Sequence, residues 1–95
     1  MSKPTFNPDW VVAPGETLRE WRESNHLPET AAATACGLRL TRFRQIERGT
    51  APISEDTAFR LAHGTGIPAF LWLNLERNYR AGLAAGKTAL TSEDR

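Results

Sequence analysis

The residues best suited to chemistry in this chain are four arginines that fall within one ten-residue stretch, residues 39–48. They make up four of the twelve Lys and Arg residues, and a single carboxylate, Glu47, accompanies them. Phe43 and Ile46 are three positions apart, so they share one side of an α-helix and leave the other side polar and basic. The stretch therefore predicts a short helix with one face toward a core and the other toward a polyanion, with an ordinary solvated helix face as the alternative.

Side chains of this stretch also suit the base edges of a DNA major groove, where arginine bonds guanine through two donors and glutamine pairs with adenine. Arg44 and Arg48 are expected to contact phosphate or to flank the groove, which fixes register without reading sequence. Thr30, near the start of the preceding helix, is a further candidate for phosphate, or else a local helix cap. The candidate base-reading residues are Arg39, Thr41, Arg42 and Gln45.

Apolar spacing and helix-end signals predict five helices and no credible strand pair, so the fold is expected to be all-α. The second of these helices stops at Gly37, and Gly49 follows the third. Two short helices joined by a tight glycine turn are typical of a helix-turn-helix. The predicted helices span residues 16–24, 28–37, 39–48, 55–63 and 68–80.

The chain is expected to form one domain, residues 15–82, between an N-terminal arm at 1–14 and a flexible C-terminal tail at 83–95. The fifth helix is apolar over more of its circumference than one core needs, which favours a dimer interface through Trp72, Leu75 and Tyr79. The alternative is that Trp72 and Leu75 close the monomer core.

Composition narrows the class of protein. A single cysteine among 95 residues excludes an intramolecular disulfide and favours a reducing compartment, so a cytoplasmic protein is expected. The sequence shows neither a signal peptide nor an eighteen-residue apolar run, and no membrane association is expected. His26 and His63 have no second ligand at helical spacing, and no nucleophile lies in a motif. We therefore expect no catalytic residues, no metal site and no cofactor.

The sequence resembles the HigA-type antitoxins within the Xre/Cro-like helix-turn-helix repressors. The resemblance covers roughly residues 14–80 and rests on four blocks. Of these, Ile-Glu-Arg-Gly at 46–49 is typical of the superfamily, while Trp-Leu-Asn-Leu at 72–75 points to this branch. The blocks lie at residues 14–18, 37–49, 53–62 and 70–75, with Tyr79 following the last.

The resemblance implies a compact five-helix, lambda-repressor-like domain that forms a homodimer, binds a palindromic operator in double-stranded DNA and represses its own promoter. It also implies a RelE-like toxin that the protein neutralises, as in a HigBA-like module. Two residues depart from the family pattern. Glu29 replaces a glutamine that often approaches DNA, and phosphate would repel its carboxylate, so it is expected to orient an arginine or accept from a cytosine amino group. Leu40, at an often polar position, would contact a thymine methyl group or merely pack.

Three functions are therefore consistent with the sequence. The first is a repressor that is also the antitoxin of a toxin–antitoxin pair, and the second is a stand-alone phage or prophage repressor without a toxin. The third is a protein-interaction module that has lost DNA binding, a possibility suggested by Glu29 and by the net charge of only +1.

Overall fold

The computed structural model of the protein describes residues 10–90, and in this range five helices lie between two short strands. The five-helix, all-α class with a helix-turn-helix at its centre is confirmed. The elements are β1 (Trp10–Val12), α1 (Pro14–Ser24), α2 (Glu29–Ala35), α3 (Leu40–Arg48), α4 (Glu55–Thr65), α5 (Ala69–Ala84) and β2 (Thr88–Leu90).

Residues that favour helix ends set the limits of α3 and α4. Gly49 has φ of 80° at the end of α3, a left-handed conformation that glycine adopts without a Cβ clash. The turn before α3 contains Gly37 with φ of 68°. The side chain of Ser54 caps α4, since its Oγ accepts a hydrogen bond from the Thr57 amide at 3.3 Å. These signals are local, which is why the sequence predicts both helices closely.

The two ends of the domain differ from the expectation. Helix α5 continues through Ala84, past its predicted end at Arg80, so the expected domain boundary at 82 falls inside a helix. Beyond it, β2 pairs in parallel with β1, with Trp10 opposite Thr88. The expectation that there is no strand pair is therefore wrong, because the two strands come from opposite ends of the sequence and leave no local signal. The rest of the predicted arm and tail, residues 1–9 and 91–95, lies outside the described residues.

The contact between β1 and α5 depends on Gly82. A Cβ at this position would overlap the side chain of Val11, so only glycine lets the strand lie this close to the helix. Helix α5 also packs against α1 and α4. It therefore joins the strand pair to the rest of the helical core.

The core takes its largest side chains from α1, α3, α4 and α5. Phe43 and Ile46 are buried, as predicted, together with Leu18 and Leu61. Small residues allow close approach elsewhere: a Cβ at Gly64 in α4 would lie 2.6 Å from the Cys36 Sγ. Close packing of this kind sets the positions of the helices.

Burial on α5 corrects the expected dimer interface. The side chain of Trp72 is completely buried among core residues of its own chain, and Tyr79 is only 5% exposed. Leu75 is partly buried and packs against the same core. An interface through Trp72 and Tyr79 is therefore wrong, since their surface is already covered, and the alternative that α5 closes the monomer core is correct.

An ion pair between α1 and the last turn of α3 holds these two helices together. Arg22 Nε donates to Glu47 Oε2 at 2.7 Å, and the two side chains are only 14% and 6% exposed. Arg22 Nη1 also donates to the carbonyl of Leu27 at 3.2 Å. The hydrogen bond to Glu47 raises the pKa of Arg22 against the opposing effect of burial. Close by, Gly15 lies so near the carbonyls of Ile46 and Glu47 that no Cβ would fit.

Replacement of Glu47 tests how much this ion pair contributes to stability. Glu47→Ala leaves the Arg22 charge largely buried without its partner, so we expect the free energy of unfolding to fall by about 3–5 kcal/mol. Urea denaturation followed by circular dichroism measures the change. Glu23→Ala, which breaks the exposed Arg19–Glu23 pair within α1, is the control and should cost less than about 1 kcal/mol. Equal losses in the two variants would contradict a special role for the buried pair.

The buried thiol of Cys36 predicts how stability depends on alkaline pH. Burial raises the pKa of this thiol from 9.0 to about 11. Between these values the unfolded chain loses the proton and the folded chain keeps it, so stability falls as pH rises, by up to about 1.4 kcal/mol per pH unit. We therefore expect the free energy of unfolding to fall less in Cys36→Ala than in the wild type over this range. Parallel pH profiles of the two proteins would refute the assignment.

Candidate nucleic-acid interface

The exposed side of α3 brings together nearly all of the predicted DNA-contacting residues. There are two exceptions. Thr30 lies on α2, and Leu40 is half-buried and packs against the core, which favours the packing interpretation of Leu40. Phe43, Ile46 and Glu47 form the opposite, buried side. The exposed residues are Arg39 at the N-cap position and Thr41, Arg42, Arg44, Gln45 and Arg48 within the helix.

Helical geometry orders these exposed side chains. Thr41, Gln45 and Arg48 are three or four positions apart and form one row, opposite the buried side. Arg42 and Arg44 lie on the two flanks of this row. The row and its flanks thus offer guanidinium, amide and hydroxyl groups along one surface of a nine-residue helix.

Several of these groups are available for a ligand. Within residues 10–90, neither the Arg39 nor the Arg42 side chain forms a hydrogen bond or an ion pair, and the side-chain amide of Gln45 is equally without a partner. A guanidinium carries five N–H donors in a fixed plane, so these arginines present their full donor sets to the surroundings.

Glu29, the first residue of α2, contacts one of the flanking arginines. Arg44 Nε donates to Glu29 Oε1 at 2.9 Å, and the two side chains are 47% and 33% exposed. Of the two expected roles for this carboxylate, the contact favours the orientation of an arginine. It also joins the first helix of the helix-turn-helix to the second on the exposed surface.

Thr30 lies beside this pair in the first turn of α2 and is exposed. It does not cap the helix, because Pro28 occupies the N-cap position and no side chain caps α2. The Thr30 hydroxyl forms no hydrogen bond among the described residues. The structure therefore removes the local-cap interpretation and leaves Thr30 exposed at the start of α2.

Arg60 of α4 supports the turn between α2 and α3. Its Nη1 donates to the carbonyl of Gly37 at 2.9 Å, and its Nε donates to Asp56 Oδ2 at 2.9 Å. Asp56, on the same helix, thus orients the Arg60 guanidinium, and the guanidinium in turn hydrogen-bonds to the turn. This contact holds the turn before α3, and the Arg22–Glu47 ion pair holds the end of α3 against α1.

Comparison with known proteins places this arrangement in a family. The family model described as helix-turn-helix matches residues 18–72. A solved addiction-module antidote protein of the HigA family from Coxiella burnetii is 31% identical, covers 77% of this chain and 80% of its own, and superposes with a TM-score of 0.70. The chain belongs to the HigA family of helix-turn-helix proteins.

Two further solved relatives of this HigA-family chain come from Pseudomonas aeruginosa. The antitoxin HigA, solved with the higBA promoter, is 31% identical over 78% of this chain and 82% of its own, with a TM-score of 0.72. Another protein, solved in complex with its operator DNA, is 30% identical over 80% and 83%, with a TM-score of 0.74. None of the curated proteins compared with the chain matches it.

The sequence of this HigA-family protein did not predict the role of Arg60, which supports the turn before α3. Arg60 is four positions after Asp56, a spacing that predicts an ion pair within one helix but says nothing about Gly37.

In residues 10–90 no group of three or more His, Cys, Asp or Glu side chains is placed to hold a metal ion. None of the helices in that range is long and apolar enough to cross a membrane.

Proposed function

We propose that this HigA-family protein is a sequence-specific DNA-binding repressor of its own promoter and the antitoxin of a HigBA-like toxin–antitoxin module. The observation that carries the proposal is the exposed side of α3, where the side chains of Arg39, Arg42 and Gln45 have no partner in residues 10–90. Helix α3 is held against α1 by the Arg22–Glu47 ion pair, and Arg60 of α4 holds the turn that precedes it. Rigid placement with free donors is what major-groove reading requires. Two relatives solved with promoter or operator DNA support it.

The proposed ligand is a palindromic operator in double-stranded DNA, read by a homodimer. Two recognition helices related by a two-fold axis bind half-sites whose centres are about 34 Å apart, which is one helical turn of DNA. The protein acts by binding and not by catalysis, in the cytoplasm, and a RelE-like toxin is its second partner. Arg39, Thr41, Arg42 and Gln45 read bases in this proposal, and Arg48 and Thr30 contact phosphate.

A gel-shift titration against the DNA upstream of its own coding sequence tests the proposal. Unrelated DNA serves as competitor, and two salt concentrations separate the phosphate contribution from the rest. Tight binding that resists the competitor is expected. Binding that any DNA displaces equally would reject operator recognition and favour an interaction module. Co-purification with the product of the neighbouring gene separates an antitoxin from a stand-alone repressor.

Single substitutions on α3 distinguish base contacts from phosphate contacts. Arg42→Ala and Gln45→Ala are each expected to relax base preference at one position per half-site, at a cost of about 1–3 kcal/mol of binding free energy. Binding to a set of operators that differ at single positions measures this preference. Arg77→Ala, which removes one exposed charge from α5, is the control. A uniform loss on every operator would reassign Arg42 and Gln45 to phosphate contacts.

The dimer surface that we propose uses apolar side chains that the core leaves exposed. Phe59 of α4 and Phe70 and Leu71 of α5 are 66%, 63% and 41% exposed, and these two helices pack against each other. Large apolar side chains in such positions are typical of an interface. A second copy of the chain is the proposed partner, since a palindromic operator needs two recognition helices.

Charged substitutions on α5 separate this surface from the core. Phe70→Glu is expected to give a folded monomer, because it adds a charge at the interface without disturbing buried residues. Trp72→Glu is expected to unfold the protein, because Trp72 is completely buried. Light scattering after size exclusion reports the oligomeric state, and circular dichroism reports the fold. A Phe70→Glu protein that remains dimeric would place the interface elsewhere.

A further inference from the structure

The pair formed by Glu29 and Arg44 gives Arg44 a different role from the one its spacing predicts. We infer that Glu29 is a positioning residue that orients Arg44 to read a guanine in each half-site, so that Arg44 contacts a base and not a phosphate. This inference rests on the proposed function. The sequence alone assigned Arg44 to phosphate or to the edge of the groove.

The geometry of the contact determines which donors remain. Glu29 Oε1 accepts from the Nε–H of Arg44 at 2.9 Å, and the Arg44 guanidinium has no other partner among the described residues. The four N–H groups on the two terminal nitrogens are therefore free. They form the end of the guanidinium fork, whose parallel donors match the O6 and N7 acceptors of guanine. A planar group held at Nε has less rotational freedom to lose when it binds.

Charge decides between a base and a phosphate. The Glu29 carboxylate neutralises Arg44, so the pair offers no net positive charge to a phosphate and places a negative charge beside it. A guanine edge carries acceptors but no formal charge, so it meets the arginine without this repulsion. Arg39 and Arg42, which have no carboxylate partner in residues 10–90, lack this bias against phosphate.

Accessibility allows the pair to meet DNA without rearrangement. The side chains of Arg44 and Glu29 are 47% and 33% exposed, and Arg44 flanks the row that contains Thr41 and Arg48. Since α2 supplies Glu29 and α3 supplies Arg44, the orientation of the arginine depends on the angle between these two helices. The contact therefore makes base preference a property of the whole helix-turn-helix.

The test measures the affinity of the full chain for its own upstream operator and for operators changed at each position. Arg44→Ala and Arg44→Lys are expected to lose preference for one guanine per half-site by roughly tenfold, since lysine lacks the planar fork. Glu29→Gln should reduce the preference for guanine at the same position. The double variant that combines Glu29→Gln with Arg44→Ala should lose no more of this preference than Arg44→Ala alone. Glu23→Gln, which neutralises an exposed partner of Arg19 on α1, is the charge-matched control and should keep the preference.

Two results would overturn the inference while leaving the proposed function intact. If Arg44→Ala bound all operators more weakly by the same factor, and the slope of log affinity against log salt concentration fell by about one, Arg44 would be a phosphate contact. Tighter binding of Glu29→Gln to every operator without a change of preference would make Glu29 only a repulsive charge. Failure of the wild type to prefer its upstream DNA would instead reject the proposed function, and this inference with it. Thermal unfolding by circular dichroism checks that each variant folds.

Discussion

The placement of α3 depends on its attachment to α1 through Arg22 and Glu47. A nine-residue helix is too short to be stable alone in water, so its position comes from packing. The ion pair is nearly buried, and the backbone of Gly15 lies directly against the end of α3. Two features of α1, the Arg22 charge and the missing side chain of Gly15, therefore fix the end of α3, and this determines which face of α3 is exposed.

The strand pair packs against α5, and α5 packs against α1 and α4. Val11 of β1 packs where Gly82 leaves room on α5, and β2 pairs with β1 in parallel. Trp72, on the same helix, fills the core beneath α1, α3 and α4. The apolar character of α5 is thus explained by two layers of contacts within one chain, and the exposed remainder, Phe70 and Leu71, is much smaller than the sequence suggests.

Local signals in the sequence predict the helix-turn-helix, whereas the contacts between residues that are distant in the sequence could not be predicted. Gly49, Ser54 and the Phe43–Ile46 spacing each act within a few residues, so they could be interpreted from the sequence. The contact of Arg60 with Gly37 joins residues that only the packing of α4 against α2 brings together. The same holds for β1 and β2, and for the burial of Trp72, which depends on how many neighbours surround α5.

A near-neutral chain can still present a cationic surface, because its acids and bases are paired unevenly. Among residues 10–90, ion pairs join Arg19, Arg22, Arg60 and Arg80 to carboxylates that lie away from the exposed row of α3. Arg39 and Arg42 stand outside these pairs in residues 10–90, and Arg44 enters one only through Glu29. The net charge of +1 therefore conceals a surface where unpaired guanidinium groups are concentrated at the start of α3. That concentration, and not the total charge, is the property that binding to DNA requires.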